Sequence, residues 1–227
     1  MRSRLIIKKS ASDLGINEAC AAVIDNVTVS NDPSFVSILQ NNVNAVASHL
    51  NELDSNVVYK GFTTQLRKLG YENTVSANEK LLRRFIAKGV HPINNIVDAY
   101  NAVAIRHGLS IGVHTYHQQD DIYIMRSEKP RAFRPLFAKK DVSIPVGDII
   151  YTCGDVPLAS IGTVDADAHD FRLTEASSSL LVVVLGHDDT PLDFNKAAIE
   201  ELVDILRQKM PALSHRFLET VHDSECG

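Results

Sequence analysis

The apolar residues change their period near Gly108, and that change constrains the fold more than any other feature of the chain. Before it, hydrophobic side chains recur at helical spacing. A helix is expected to open at Asp32 and Pro33 and run to about Leu53, with Phe35, Ile38, Leu39, Val43, Val46 and Leu50 on one face. Further helices are expected at about 59–69, 77–87 and 94–107, the last two stopped by Gly89 and Gly108, glycine being the usual residue just past a helix end. After Gly108 the apolar runs are short and broken by turns. Strands are expected at Ile122–Met125, Phe133–Leu136, Val142–Ile144, Ile149–Thr152, Leu158–Val164 and Ser179–Leu185. A closing helix follows over about 192–208, and the polar tail after Ser214 is expected to fray. Residues 16–26 read equally as a strand, a helix start or a buried loop. Helices, then many strands, then a helix indicate an α+β fold with a mostly antiparallel or mixed sheet.

The 227 residues carry no Pro/Gly/Ser-rich linker and no repeat, so one domain over 1–227 is expected. The formal charge of −5 argues against binding nucleic acid by bulk electrostatics. Two local basic clusters stand out, Arg83, Arg84 and Lys88, and then Lys129, Arg131, Arg134, Lys139 and Lys140. Both read first as solvated surface charge. The three cysteines, Cys20, Cys153 and Cys226, lie far apart and show neither a disulfide framework nor a zinc motif, which suits a cytoplasmic protein. The basic start contains only Leu5–Ile7 as an apolar run, too short for a signal peptide, and no stretch approaches the ~20 residues of a membrane span.

Chemistry concentrates in three places. Asn94, Asn95, Asp98 and Asn101 lie along one helix, where such residues are poor formers unless their side chains have partners. Helix capping by the Asn pair, and pairing of Asp98 with a neighbour such as Arg106, would account for part of this set. Next comes Gly108-Leu-Ser-Ile-Gly112-Val-His114-Thr-Tyr-His117, where glycine allows backbone to approach a ligand. His114, His117 and Asp120 supply no recognisable metal-ligand spacing, so no metal or other cofactor is expected. The third is the loop Gly162–Asp170, with three carboxylates and a histidine. It reads as polar and solvated, and it lacks the glycine and glutamate of a calcium loop. No nucleophile elbow, phosphate-binding loop or dinucleotide fingerprint occurs, which argues against serine hydrolases, nucleotide hydrolases and nicotinamide enzymes.

The runs Leu82–Gly89, Asn94-Asn-Ile-Val-Asp-Ala-Tyr-Asn-Ala102 and Gly108–His114 together resemble the B3/4 domain, the amino-acid editing module of the phenylalanyl-tRNA synthetase beta subunit. The likeness is closer to free-standing bacterial relatives that lack the synthetase core. It continues through Phe133-Arg-Pro-Leu136 and Gly147-Asp-Ile-Ile-Tyr151, with an editing-like core over about 81–186. The resemblance implies a pocket between helix and sheet that receives the 3′ end of a mischarged tRNA and hydrolyses the aminoacyl ester, with small residues shaping the side-chain pocket. It implies catalytic roles for His114 and for Asp167, which is Asp where the synthetase has Glu. It implies a binding role for Gly162, what remains here of a Gly-rich strand, and the polar helix and glycine turn add Asn94, Asn95, Asp98, Asn101 and Gly112 as expected substrate-binding residues. Asn94 or Asn95 would donate to the carbonyl, and Asp98 or Asp167 would hold the α-ammonium. The implied partner is aminoacyl-tRNA or a tRNA 3′ end. The alternatives are a non-catalytic module binding an amino-acid-like small molecule or an RNA 3′ end, and an enzyme for another amino-acid or peptide reaction.

Overall fold

The apolar run after Ser179 forms a strand buried on both faces. Leu181, Val183 and Leu185 enter one core, and Leu180, Val182 and Val184 enter another. A strand with a core on each side needs no polar alternation, which is why this run reads as continuously hydrophobic. Each such side chain contributes roughly 1.5–3 kcal/mol on burial, so this strand anchors the molecule.

The computed structural model describes residues 3–53, 55–68, 70–72, 75–117 and 120–223. Cys226 lies outside them. The first half runs β1 (Arg4–Lys8), α1 (Lys9–Ser12), β2 (Cys20–Asp25), α2 (Val36–Ala47), α3 (Leu50–Leu53), α4 (Val57–Lys68), α5 (Ala77–Lys88) and α6 (Asn95–His107). Then come β3 (Ile111–Thr115), β4 (Ile122–Arg126), β5 (Arg131–Phe133), β6 (Val142–Ile144), β7 (Ile149–Cys153), β8 (Val156–Ile161) and β9 (Ala166–Asp167). The chain closes with β10 (Ser179–Val184), α7 (Leu192–Arg207), β11 (Ser214–Phe217) and β12 (Glu219–Asp223).

Among the described residues the strands form a six-stranded sheet ordered β12-β1-β4-β7-β8-β9, a four-stranded sheet ordered β11-β2-β10-β3 and a small β5-β6 ribbon. The larger sheet is mixed: β1 runs parallel to both β12 and β4, and the other pairs are antiparallel. The two main sheets share a core that includes Leu5, Ile124, Ile149, Leu181 and Val183. The far face of the four-stranded sheet packs on α6 and α7 through Ile96, Ala99, Val103, Ile199, Leu202 and Leu206. A third cluster joins α2, α4, α5 and α6. This α+β arrangement is the class expected from the change of period.

Several boundaries differ from the sequence expectation. The first long helix stops at Ala47 and a separate turn of helix covers Leu50–Leu53. Residues 16–26 resolve into β2. Up to Asp223, the last described residue, the tail is not frayed. β11 pairs with β2 and β12 with β1, while Leu218, between them, is buried and donates its amide to the Ala21 carbonyl. Ser-His-Arg-Phe and Glu-Thr-Val-His-Asp read as solvated because each is a short strand at the edge of its sheet, with little of itself buried. No helix among the described residues is long and apolar enough to cross a membrane.

Candidate functional site

Two edge strands meet at the site. β9 ends the larger sheet and β3 ends the smaller one. Across the larger sheet, Ile124 opposes Tyr151, Tyr151 opposes Ala159, and Ala159 opposes Asp167. Opposed residues in antiparallel strands point to the same face, so Tyr151 and Asp167 share one, with a small alanine between them. On the facing sheet, His114 opposes the inward Leu181 and therefore also points between the sheets. A one-residue slip of β3 would turn His114 into the core beneath α6.

His114 Nε2 lies 2.7 Å from Tyr151 Oη, and Tyr151 Oη donates to Asp167 Oδ1 at 3.5 Å. The two rings meet edge to face, with centroids 5.3 Å apart. His114 is 1% exposed, and burial pushes its pKa down to about 3. It is therefore neutral at physiological pH, and its 3.9 Å approach to Asp167 is not an ion pair. In the Nε2–H tautomer His114 donates to Tyr151, which leaves the phenolic proton for Asp167. Burial raises the Tyr151 phenol well above the ordinary tyrosine value, so that proton stays on oxygen. Burial also raises Asp167 to about 6, against the lowering effect of the Tyr151 hydrogen bond. Asp167 is 43% exposed by side-chain area, and it lines two adjoining cavities. The group that titrates near neutrality is thus the carboxylate and not the histidine.

Two cavities adjoin at Asp167, Leu81 and Arg84, which line both. One, of about 360 Å³, has small and aliphatic walls that include Gly112, Ala159, Ser160, Ala166 and Val183. The other, of about 340 Å³, lies between α6 and the loops around β9. Tyr100, Asn101, Val113 and His114 line it, and Arg84, His91 and Arg172 supply basic groups. Arg84 is exposed and has no ion-pair partner among the described residues, unlike Arg83, which pairs with Glu79 at 2.6 Å, and Lys80, which pairs with Asp165.

The residues singled out from sequence divide here. His114, Asp167, Asn94, Asn101 and Gly112 line one or other cavity. Asn95, Asp98 and Gly162 line neither. Asn95 is 6% exposed; its Oδ1 accepts from Ser30 N at 2.9 Å and its Nδ2 donates to Thr28 O at 2.8 Å, so it ties α6 to the 28–30 loop. Asp98, fully buried, accepts from Ile93 N at 3.0 Å instead of pairing with Arg106, whose partner is Glu201. Asn94 caps α6, its Oδ1 accepting from Val97 N at 2.8 Å, while still bordering the cavity. Gly162 has φ +146°, and a Cβ there would lie 2.6 Å from Asp148 Oδ1, so its glycine makes room for the buried Asp148 rather than for a ligand. Gly112 acts likewise: a Cβ would sit 2.1 Å from Tyr151 Oη, so only glycine lets that hydroxyl reach His114. His114 turns between the sheets, and among the described residues no three His, Cys, Asp or Glu side chains are grouped to hold a metal ion.

Sequence reasoning missed Tyr151, Tyr100 and Arg84 as site residues. Tyr151 and Tyr100 sit within apolar patterns, and Arg84 sits on the outward side of an amphipathic helix. The one sequence signal for Tyr151 is its hydroxyl, a polar group in an otherwise buried strand that requires a partner.

A family model for the B3/4 domain matches residues 65–192. Among solved structures, the fold is similar to an N-terminal fragment of the phenylalanyl-tRNA synthetase beta-subunit from Pyrococcus horikoshii, with a TM-score of 0.55 and 12% identity over 98% of this chain. The chain spans 53% of that fragment, and at such low identity the likeness is one of fold. Comparison with curated proteins gave no match.

Proposed function

The chain belongs to the B3/4 domain family, and from that premise we propose that it hydrolyses mischarged aminoacyl-tRNA, acting in trans on the ester at the 3′ end. The observation that carries this reading is Asp167, a carboxylate raised to about 6 at the junction of two cavities, backed by Tyr151 and His114 and flanked by Arg84, which has no ion-pair partner among the described residues. The cavity walled by Gly112, Ala159, Ser160 and Ala166 takes the acyl side chain, and the cavity edged by Arg84, His91 and Arg172 takes the terminal nucleoside.

An aminoacyl ester is already activated, so positioned water and a base suffice. Asp167 takes a proton from water as its oxygen bonds to the acyl carbon. The bond from that carbon to the ribose oxygen then breaks, and the proton passes from Asp167 to the leaving oxygen. Arg84 supplies a cation for the charge that develops on the carbonyl oxygen. Asn101 and Asn94 supply amides to the nucleoside side. His114, buried and uncharged, positions Tyr151 and exchanges no proton with substrate.

That same burial favours a second reading, a non-catalytic module that binds an amino-acid-like molecule or an RNA 3′ end without turning it over. Deacylation of a panel of aminoacyl-tRNAs separates the two. A hydrolase accelerates at least one of them, with a rate that rises from about pH 5 to about pH 7 as Asp167, at about 6, ionises. Binding that tightens as salt falls but brings no turnover supports the module. Absence of binding at low salt removes RNA as the partner.

A further inference from the structure

The loop after β5 presents Phe137, 94% exposed, at the mouth of the cavity assigned above to the nucleoside. Single exposed apolar residues are ordinary on a protein surface, but among the described residues Phe137 is the one aromatic side chain among the exposed large hydrophobics, and it borders a cavity. Its backbone setting is not loose. Leu136 N donates to Asp167 O at 2.9 Å, His169 N donates to Arg134 O at 2.8 Å, and Pro135 bridges Ala168. Phe137 therefore follows directly on a residue bonded to the strand that carries Asp167, and backbone ties its loop to that strand.

The charge around the ring is basic. Lys139 and Lys140 follow it in the same loop, exposed and with no carboxylate partner among the described residues. Arg172 and Arg84 border the same cavity. The nearby acids are Asp141, which pairs with Arg134 at 3.0 Å, Asp170, which lies 3.0 Å from His169 Nδ1 and within reach of Arg172, and Asp167, which lines the cavity itself. An exposed aromatic face beside unpaired cations is the combination by which proteins hold single-stranded nucleic acid, the ring stacking on a base and the cations meeting phosphate. The molecule as a whole carries −5, so such a contact is local and weak in bulk attraction, and one stacked base would matter correspondingly more.

We infer that Phe137 is a stacking platform for a base at the 3′ end of single-stranded RNA, held in register with Asp167 so that the terminal ester falls at the junction of the two cavities. This rests on the reading of the pocket as a site for RNA-borne esters and names how the RNA end is placed in it. Every base offers a stacking face, so the platform is indifferent to sequence and leaves discrimination to the acyl cavity.

The test uses the full chain, an uncharged RNA tetranucleotide with a free 3′ hydroxyl, an aminoacyl-tRNA and the methyl ester of the same amino acid. Phe137→Ala is expected to weaken tetranucleotide binding about tenfold, the size of one lost stack, and Phe137→Trp to keep it. The fall in kcat/KM should be about tenfold larger for the aminoacyl-tRNA than for the methyl ester. Tetranucleotide binding that is the same in Phe137→Ala and wild type overturns the inference. So does an equal loss on both esters, which would put Phe137 in the acyl cavity. If neither ester is hydrolysed but tetranucleotide binding still depends on an aromatic residue at 137, the hydrolase reading fails and the platform stands. If the methyl ester is hydrolysed and no tetranucleotide binds at low salt, the platform fails and ester hydrolysis stands.

Discussion

The pocket has two walls of similar polarity that use their polar groups in different ways. The helix wall, α6 and the segment before it, carries Asn94, Asn95, Asp98 and Asn101. Of these, Asn95 and Asp98 are spent on backbone amides and carbonyls of neighbouring segments, and Asn94 is shared between a cap and the cavity. The strand wall, β3, β7 and β9, carries His114, Tyr151 and Asp167, which bond to one another and end on a carboxylate open to the cavity. A polar helix packed in a fold holds its flanking loops in place first, because the backbone groups those loops turn towards it need partners. Strands satisfy their own backbone in the ladder, so their polar side chains are free to face a ligand.

The sharpest way to break that contrast is Asp167→Asn. The amide is isosteric and can still accept from Tyr151, but it cannot take a proton. Deacylation is expected to fall by about 10²–10⁴-fold, with the acid limb of the rate profile lost. Stability should not fall. Burial raises this carboxylate to about 6, so the folded state binds its proton more tightly than the unfolded state does. That contribution favours folding below the ordinary carboxylate value near 4 and is lost as pH rises through about 6. A permanently neutral side chain removes the penalty, and melting curves at pH 7 should show an unchanged or higher Tm. Retained deacylation would return catalysis to some other group.

Asn95→Ala probes the opposite wall and should show the reverse pattern. It leaves Ser30 N, in a half-buried residue, and Thr28 O, in an exposed one, without their side-chain partner. A loss of about 1–2 kcal/mol is expected, since water can replace part of what is removed, or roughly 2–8 °C in Tm at this chain length. Deacylation measured well below the melting transition should stay close to wild type. Loss of activity without loss of stability would make the helix wall part of the chemistry.

How much of this was legible in the sequence follows from the same contrast. The helix ends at Gly89 and Gly108 and the doubly buried strand after Ser179 were readable, because local spacing dictates them. His114 and Asp167 were reachable through a family resemblance. Tyr151 was not, because its role depends on two small residues that only the fold sets against it, Gly112 opposite its hydroxyl and Ala159 beside it across the sheet. Asn95 and Asp98 looked like ligands for a similar reason: the amides they serve, Ser30 and Ile93, lie in connectors whose course no helical periodicity predicts. Arg84 reads as an outward charge until the position of β9 is known.

The smallest effect is expected from Asp98→Asn, and it tests the helix wall most finely. Asp98 is fully buried, and its Oδ1 accepts from Ile93 N while its Oδ2 has no hydrogen-bond partner among the described residues. Burial raises its pKa, only partly offset by that amide. The folded state therefore holds the Asp98 proton more tightly than the unfolded state does. Its contribution is fully present below the unfolded carboxylate pKa and is lost as pH rises through the higher folded value. Asparagine keeps an acceptor for Ile93 N and carries no charge to desolvate, but its amide nitrogen inherits the unpartnered position. These two effects oppose each other, so at neutral pH the change should stay within about 1 kcal/mol. The clearer signature is in the slope. Wild-type Tm should fall more steeply than that of the variant as pH rises from about 4 towards neutrality. Parallel curves would mean that Asp98 contributes nothing to the pH dependence of folding. A loss of deacylation with an unchanged Tm profile would place Asp98 at the substrate and erase the distinction between the two walls.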